Sequence, residues 1–249
     1  MCCGNFCSNT KPIFSGVPQG SILGPFLFNV YVNDIVNIDQ SIKFVMYADD
    51  TTLFYAAENM EELVSKINLV LDKISSWTDR NALKINTSKT KAVIFRTKHK
   101  TIPSICRVTL NSVDIELVDD FKTLGVVFSH NMTWDHHIAY LNKKLSKVVG
   151  LICRHRYILP TSIKLLLYKS LFYSHLNYCS LVWCTTTITN LEKVHLIQKR
   201  MLRTIANAPY LSHTENLFKI YNILIIKNMY SYRLSTRLKK NCNITPLSW

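Results

Sequence analysis

The sequence predicts an α+β protein in which a mixed or antiparallel sheet with flanking helices precedes an all-helical region. The 249 residues suffice for one large domain or two smaller ones, and a hydrophobic content of 48% supports a sizeable core. Short alternating apolar runs continue to residue 128, whereas from Trp134 onward apolar residues recur at helical spacing. This change of pattern predicts a domain boundary near residue 133.

Each element follows from a local pattern. A helix is expected at residues 22–35, and another starts at Asn59, a capping residue with an acid three positions later. The second helix repeats apolar residues at spacings of three and four, so these form its core face: Leu63, Ile67, Val70, Ile74 and Trp77. Strands are expected at 83–86, 91–96, 106–110, 113–117 and 122–128, and Asn111 with Ser112 forms a tight turn. The remaining elements are helices near 135–156, 161–183, 190–206 and 213–233, and a flexible tail at 235–249.

Two adjacent carboxylates, Asp49 and Asp50, follow Tyr47 and Ala48 between two runs rich in β-branched and aromatic residues. Such runs predict a hairpin with the acids at its turn. Adjacent like charges repel, and a divalent cation would remove that cost. Mg²⁺ prefers carboxylates completed by water and phosphate oxygens. The alternative is a solvated turn, in which Asp is common.

A loop rich in glycine and proline, SGVPQGSILGP at residues 15–25, precedes this hairpin. Gly16 and Gly20 allow the backbone to approach a ligand closely. Ser21 is placed to cap the following helix, whose N-terminus suits phosphate. The two motifs in this order resemble those of reverse transcriptases, most closely the enzymes of non-LTR (LINE-like) retrotransposons.

The resemblance continues along the chain in the order that the family shows, from about residue 11 to about residue 234. Residues 83–95, LKINTSKTKAVIF, are similar to a palm segment of these enzymes. Residues 121–126 and 132–138 resemble the stretch that ends the palm, the primer grip, and residues 191–205 resemble the helical region beyond it. The resemblance therefore implies a polymerase palm at 1–133 and a basic, thumb-like helical region at 134–234.

The family implies an RNA-directed DNA polymerase that uses an RNA template, a DNA primer and deoxynucleoside triphosphates. By resemblance, Asp49 and Asp50 bind the catalytic metal, Mg²⁺ or alternatively Mn²⁺, and Lys89 assists the leaving pyrophosphate. A solvated basic turn explains Lys89 equally well, and a strand aromatic explains Tyr47. The remaining implied positions are Gln19, Gly20, Tyr47 and Ala48 for the nucleotide and primer end, and Gly16, Leu124 and Gly125 for the template and primer.

The family's third metal ligand is an Asp on a strand before the GVPQG loop. None of the fifteen residues that precede Gly16 is Asp or Glu, and the fingers of the family have no counterpart. Since two-metal transfer needs carboxylates that hold both ions, we expect a partial copy with weak or no polymerase activity. The alternative is a non-catalytic nucleic-acid-binding remnant of the same element; a maturase-like or telomerase-like relative fits the C-terminal half less well.

Positive charge is concentrated in the second half of the chain. Residues 1–135 hold 13 Lys and Arg against 14 Asp and Glu, whereas residues 136–249 hold 17 against Glu192 and Glu215. Such a half suits a phosphate backbone; a solubilising face or acidic lipid is the alternative. The predicted phosphate contacts are Lys143, Lys144, Lys147, Arg154, Lys199, Arg200 and Arg203. The interleaved aromatic residues Tyr157, Tyr168, Phe172 and Tyr173 are expected in the core rather than against bases.

The eight cysteines show no CxxC and no paired Cys/His spacing, so reduced thiols in an intracellular protein are expected rather than zinc. His136 and His137 are expected at a solvated helix start. Residues 165–184 are apolar but contain Lys169, His175 and Asn177, which favours a buried helix over a membrane span. No signal peptide is predicted, the family implies the nucleus, and the sequence leaves the oligomeric state open.

Overall fold

The computed structural model describes residues 2–3, 6–7, 16–17, 20–97, 99 and 106–242. Contacts divide the chain into two compact units, Met1–Ala92 with Ile102–Leu117, and Val93–Thr101 with Val118–Trp249. The predicted boundary at residue 133 lies within the second of these units. The reason is local packing: the ring of Phe128 lies 5.6 Å from that of Trp134. This contact joins the last strands to the first helix of the helical region.

Among its described residues, the first unit contains two α-helices and several short strands. They are β1 (Cys2–Cys3), β2 (Phe6–Cys7), α1 (Leu23–Val32) with a 3₁₀ continuation (Asn33–Asn37), β3 (Lys43–Tyr47), β4 (Asp50–Phe54), α2 (Met60–Arg80), β5 (Lys91–Ala92), β6 (Thr109–Leu110), β7 (Val113–Asp114) and β8 (Glu116–Leu117).

Helix α2 organises the core of this unit. Its predicted stripe is confirmed at Val70, Ile74 and Trp77, which are buried. Acidic residues occupy its first turn and Arg80 its last, which is the arrangement that the helix dipole favours. Strand β6 packs on α2 and pairs with β7 through the predicted turn, where Asn111 adopts a φ of 52°.

The prediction of one continuous sheet is wrong. Within the described residues the strands form separate two-stranded pairs, antiparallel except for β5 with β8. The strand expected at 83–86 is absent because Asn86 folds the chain into a turn: its side-chain oxygen accepts from the Ser88 hydroxyl and from the Lys89 backbone N–H. The strand expected at 91–96 is confined to Lys91–Ala92.

The second unit is a hairpin followed by helices. Its elements are β9 (Asp120–Thr123), β10 (Val126–Ser129), α3 (Asp135–Arg154), α4 (Thr161–Leu167), a π-helix (Tyr168–Tyr173), α5 (Ser174–Asn177), α6 (Ser180–Trp183), α7 (Ile188–Ile205), α8 (Glu215–Ile220), a 3₁₀ turn (Ile226–Asn228) and α9 (Met229–Cys242).

Helices α3 and α7 form the centre of this unit. On α3 the buried residues recur at helical spacing: Ile138, Leu141, Leu145, Val149 and Ile152. On α7 the buried Gln198 donates to the carbonyl oxygen of Leu224 and accepts from the N–H of Ile226. Because both ends of this amide are hydrogen-bonded, these bonds offset the desolvation cost of burying it, and it joins α7 to the segment before α9.

The helix predicted at 161–183 is interrupted. A π-helical stretch follows α4, and Cys179, with a φ of 49°, separates α5 from α6. Tyr168 and Phe172 are buried in the π-helix, as expected, and burial raises the pKa of Tyr168 to about 12. Among residues 20–97 and 106–242, no helix combines the length and hydropathy that a membrane span requires.

The C-terminal segment is more regular than predicted. Helix α9 continues through the start of the expected tail to Cys242, and the Thr236 hydroxyl donates to the carbonyl oxygen of Tyr232 one turn earlier. Leu234 and Leu238 recur at helical spacing in this segment, which contains no glycine or proline. Residues 243–249 lie outside the described residues.

Candidate active site

The predicted hairpin is present, with Asp49 in its turn and Asp50 as the first residue of its second strand. Strands β3 and β4 pair antiparallel, and Tyr47 with Asp50 is the last pair of the ladder, so Ala48 and Asp49 form the two-residue turn. Ala48 has a φ of 51°, a left-handed conformation that costs a non-glycine residue free energy. The hairpin therefore holds its turn against local strain.

Alternation along β3 fixes the orientation of the hairpin. Phe44 and Met46 are half-buried against a cluster that contains Trp77, whereas Tyr47 is 65% exposed. Because opposite residues of an antiparallel pair share a face, Asp50 lies beside Tyr47 on the exposed face. The apolar face thus secures the hairpin and leaves the acidic end in solvent.

The donor chemistry of Asp49 and Asp50 fits a hard divalent cation. Both residues are exposed, and no described side chain forms an ion pair or hydrogen bond with either carboxylate. Carboxylate oxygens are the ligands that Mg²⁺ and Mn²⁺ prefer. The described residues contain no group of three or more His, Cys, Asp or Glu side chains that could hold a metal ion.

The glycines of the GVPQG loop adopt the conformations for which glycine is suited. Gly16 has a φ of 78° and Gly20 a φ of 86°, and a Cβ at either position would meet open space. The Ser21 hydroxyl accepts from the N–H of Gly24 at 3.0 Å. The N-cap position of α1 is Ile22, which makes no side-chain cap hydrogen bond, so Ser21 lies one residue before the cap. Gln19 lies outside the described residues.

Lys89 lies on an exposed turn, where its backbone N–H donates to the carbonyl oxygen of Asn86 at 3.2 Å. The neighbouring Lys91 forms an ion pair with Glu116. The structure thus places Lys89 on a solvated turn of the first unit, and its catalytic role stays a prediction.

Leu124 and Gly125 form a turn rather than part of the single strand predicted at 122–128. They join β9 to β10, with φ angles of 45° and 82°, and positive φ at both positions is the geometry of a tight hairpin turn. The Tyr178 hydroxyl donates to the carbonyl oxygen of Leu124. The turn is therefore fixed to the helical part of the second unit.

A cavity of about 210 Å³ adjoins this turn, lined by Leu124, Gly125, His137, Tyr140, Leu141, Lys144, His175 and Tyr178. The ammonium groups of Lys122 and Lys144 each lie 4.8 Å from the centre of the Tyr140 ring, and they lower the pKa of its hydroxyl. Burial, and then Lys144, lower the pKa of His137.

The prediction that His137 is solvated is wrong. Its Nδ1 accepts a hydrogen bond from the N–H of Val127 at 3.3 Å, and the side chain is buried, whereas the adjacent His136 is exposed and pairs with Asp120. The signal was present in the sequence, because His137 precedes the apolar Leu141 by one helical turn.

The predicted basic residues differ in their surroundings. On α3, Lys143, Lys147 and Arg154 are exposed at spacings that place them on one face. Lys144 instead lies over the Tyr140 ring. On α7, Arg200 is exposed, Lys199 is half-buried, and Arg203 donates through Nε to the carbonyl oxygen of Ser212.

The charge and the acidic turn point to the class of nucleic-acid polymerases. A family profile described as "Reverse transcriptase (RNA-dependent DNA polymerase)" matches residues 3–141, more than half of the chain. The chain therefore belongs to the reverse transcriptase family, in the non-LTR, LINE-like group that its motifs predicted.

Its relatives come from insect mobile elements. The chain is 28% identical over 221 residues to "RNA-directed DNA polymerase from mobile element jockey" of Drosophila melanogaster, covering 84% of this chain and 24% of the relative. It is 25% identical over 249 residues to "Probable RNA-directed DNA polymerase from transposon X-element" of the same species, covering 95% and 27%. It is 26% identical over 181 residues to "Retrovirus-related Pol polyprotein from type-1 retrotransposable element R1" of Bradysia coprophila, covering 71% and 18%.

The chain spans about a quarter of the length of these Drosophila relatives. No solved structure matches it significantly.

Proposed function

We propose that this chain is the palm and thumb-like part of an RNA-directed DNA polymerase that extends a DNA primer on an RNA template. The observation that carries the proposal is the exposed pair Asp49 and Asp50 at a hairpin turn, within the residues that the family profile matches. The proposed palm is residues 1–133 and the proposed thumb-like region is residues 134–234. By family analogy, the reaction takes place in the nucleus of the cell.

Asp49 is proposed as the principal metal ligand and Asp50 as the second, with Mg²⁺ as the cofactor and Mn²⁺ as the alternative. When bound, the metal would activate the primer hydroxyl and neutralise the triphosphate. The exposed position of both carboxylates leaves them accessible to solvent and nucleotide. Since phosphoryl transfer depends on positioning and charge neutralisation, the strained turn at Ala48 has the role of fixing where both carboxylates point.

The residues around the turn would position the substrates. Tyr47 and Ala48 are assigned to the primer end, and Gln19 and Gly20 to the incoming deoxynucleoside triphosphate. Lys89 is assigned to the leaving pyrophosphate, where an ammonium group serves as an acid or as a fixed positive charge.

Backbone and cationic groups would hold the template and primer. Gly16, Leu124 and Gly125 present backbone close to the duplex, and the lysines and arginines of α3 and α7 meet phosphates without reading sequence. The support is the charge of residues 136–249, with 17 Lys and Arg against two acids. The proposed phosphate contacts are Lys143, Lys144, Lys147, Arg154, Lys199, Arg200 and Arg203.

The test is primer extension on a poly(A)/oligo(dT) template by the purified chain in Mg²⁺ or Mn²⁺. We expect weak extension, because Asp49 and Asp50 are the only carboxylates in the described hairpin of β3 and β4, and Asp49→Asn is expected to reduce it at least about 100-fold. Asp72→Asn, which removes an exposed carboxylate from α2, is the matched control and should extend normally. Extension that persists in both Asp49→Asn and Asp50→Asn would contradict the assignment.

A non-catalytic nucleic-acid-binding protein is the second candidate, favoured by the absence of a three-donor metal cluster among the described residues. It predicts that the wild type and Asp49→Asn bind template–primer with equal affinity in the presence and absence of Mg²⁺. It also predicts that neither protein extends the primer at any concentration of metal.

A further inference from the structure

Two loops of the second unit meet at one buried amine. The Nζ of Lys164, on α4, lies 3.0 Å from the carbonyl oxygen of Arg156 and 2.9 Å from the side-chain oxygen of Asn207. Arg156 belongs to the loop 155–160 between α3 and α4, and Asn207 to the loop 206–214 between α7 and α8. Because one fully buried side chain donates to both, the two loops lie side by side.

Each loop exposes a tyrosine whose ring lies close to the guanidinium group of an arginine. Tyr157 is 75% exposed, and the guanidinium carbon of Arg156 lies 4.5 Å from the centre of its ring. Tyr210 is 76% exposed, and the corresponding distance to Arg203 is 5.9 Å. Tyr157 was predicted to lie in the core, and its exposure shows that this prediction is wrong. Exposed aromatic residues that are not isolated indicate a binding surface.

Backbone hydrogen bonds hold both loops in place. The N–H groups of Ile158 and Leu159 donate to the carbonyl oxygen of His155, and that of Ala208 donates to the carbonyl oxygen of Arg203. The Nε of Arg203 also donates to the carbonyl oxygen of Ser212 at 2.9 Å. A surface that is already ordered loses little conformational entropy when it binds.

The charge around the loops selects an anionic occupant. Between residues 136 and 214 the only acid is Glu192, which forms an ion pair with Lys227, whereas Arg154, Arg156 and Arg203 lie in or beside the two loops. A nucleic-acid strand has phosphates that bind cationic side chains and bases that stack on exposed aromatic rings, so it fits a surface that combines both. A duplex keeps its bases stacked inside, so the tyrosines favour an unpaired strand.

We propose that Tyr157 and Tyr210 form a stacking surface for the bases of single-stranded nucleic acid, with Arg156 at its phosphates. All residues of this surface belong to the second unit, and the proposal does not depend on polymerase activity. It gives the helical unit a site for unpaired bases in addition to the phosphate contacts proposed for a template–primer duplex.

The test is fluorescence anisotropy of the full chain with three labelled probes of one sequence: a single-stranded RNA, a single-stranded DNA and the corresponding duplex. Each of Tyr157→Ala and Tyr210→Ala is expected to weaken binding of the single strands about 5-fold or more, and to change binding of the duplex less than about 2-fold. The phenylalanine variants keep the ring and should keep the affinity. Tighter binding of the RNA strand than of the DNA strand would identify RNA as the ligand. Equal binding of the two strands would show that the surface accepts either, and both results support the proposal.

Tyr232→Ala is the matched control, because Tyr232 is also exposed and lies 6.0 Å from an arginine, Arg233, but belongs to α9. Equal losses in Tyr232→Ala and in the loop variants would overturn the proposal, as would unchanged single-strand affinity in the loop variants. Loss of binding to anionic phosphatidylserine vesicles, with RNA affinity unchanged, would assign the surface to a membrane instead. Thermal melts that coincide with the wild type exclude misfolding as the cause.

Discussion

The hydroxyl group of Tyr178 donates a hydrogen bond to the carbonyl oxygen of Leu124 at 2.5 Å. The acceptor belongs to a residue with a φ of 45°, beside Gly125 at 82°. A side chain from beyond α5 thus stabilises a turn whose backbone conformation is unfavourable for leucine. This contact makes the turn between β9 and β10 part of the helical unit, and its contribution to stability is measurable.

Tyr178→Phe should lower the free energy of unfolding by about 1 kcal/mol, because it removes one hydrogen bond and keeps the ring. Gly125→Ala should lower the free energy of unfolding by about 1–2 kcal/mol, because alanine is disfavoured at this positive φ. Steric crowding adds little, since the new Cβ would lie 3.4 Å from the Tyr178 ring, an ordinary contact distance. Urea denaturation measures both. Tyr232→Phe, at an exposed ring, serves as the control; an equal loss there would show that the bond to Leu124 contributes nothing.

The turn that carries Asp49 stores backbone strain at Ala48, and this strain can be measured by substitution. Ala48→Gly should be about 1 kcal/mol more stable than Ala56→Gly, because glycine relieves the left-handed conformation only at position 48, where φ is 51°. Ala48→Val should lose about 1–2 kcal/mol, since a β-branched residue is least suited to this conformation. Equal effects of glycine at positions 48 and 56 in urea denaturation would contradict a strained turn.

The buried amine of Lys164 joins the loops 155–160 and 206–214, and burial, followed by repulsion from Arg156, lowers its pKa. Lys164→Met should lower the free energy of unfolding by about 1–3 kcal/mol, because the carbonyl oxygen of Arg156 and the amide oxygen of Asn207 lose their donor. Lys169→Met, at an exposed site of the π-helix, should change stability by less than about 0.5 kcal/mol. Equal free energies of unfolding for the two variants in chemical denaturation would show that the Lys164 amine does not stabilise the two loops.

The lowered pKa of His137 predicts that acid destabilises the second unit. Burial and then Lys144 keep the folded pKa below its ordinary value of 6.5, so the unfolded chain binds a proton at a pH where the folded chain does not. Stability is therefore lost as pH falls below 6.5. His137→Asn keeps an acceptor for the Val127 N–H and removes the titration, so its melting temperature should fall less between pH 7.5 and pH 5. His155→Asn, at an exposed site, should lose as much melting temperature between pH 7.5 and pH 5 as the wild type. Equal losses in all three proteins would show that His137 does not cause the acid destabilisation.

Patterns that depend on near neighbours could be read from the sequence. The two runs of β-branched and aromatic residues on either side of the adjacent acids were sufficient to predict the hairpin. The spacing of Val70, Ile74 and Trp77 predicted the core face of α2, because a single period determines which side chains of a helix are buried.

Features that depend on distant contacts could not be read in the same way. Residues 122–128 favour a strand throughout, and only Gly125 indicated the turn that Tyr178 stabilises. Tyr157 was expected in the core because aromatic residues usually are, although it lies between the helices predicted at 135–156 and 161–183. Lys164 gave no signal, since its partners Arg156 and Asn207 belong to two different loops.

The π-helix at Tyr168–Tyr173 has a consequence for comparing related chains. Its hydrogen bonds span one residue more than those of an α-helix, so the stretch holds an additional residue within the same turn. Deleting the exposed Ser170 would bring Tyr168 and Phe172 from a spacing of four to a spacing of three, and both spacings keep two side chains on one face. The flanking helices would keep their orientation. An alignment of homologous elements should therefore permit a gap of one residue at Ser170, where insertion and deletion leave the core intact.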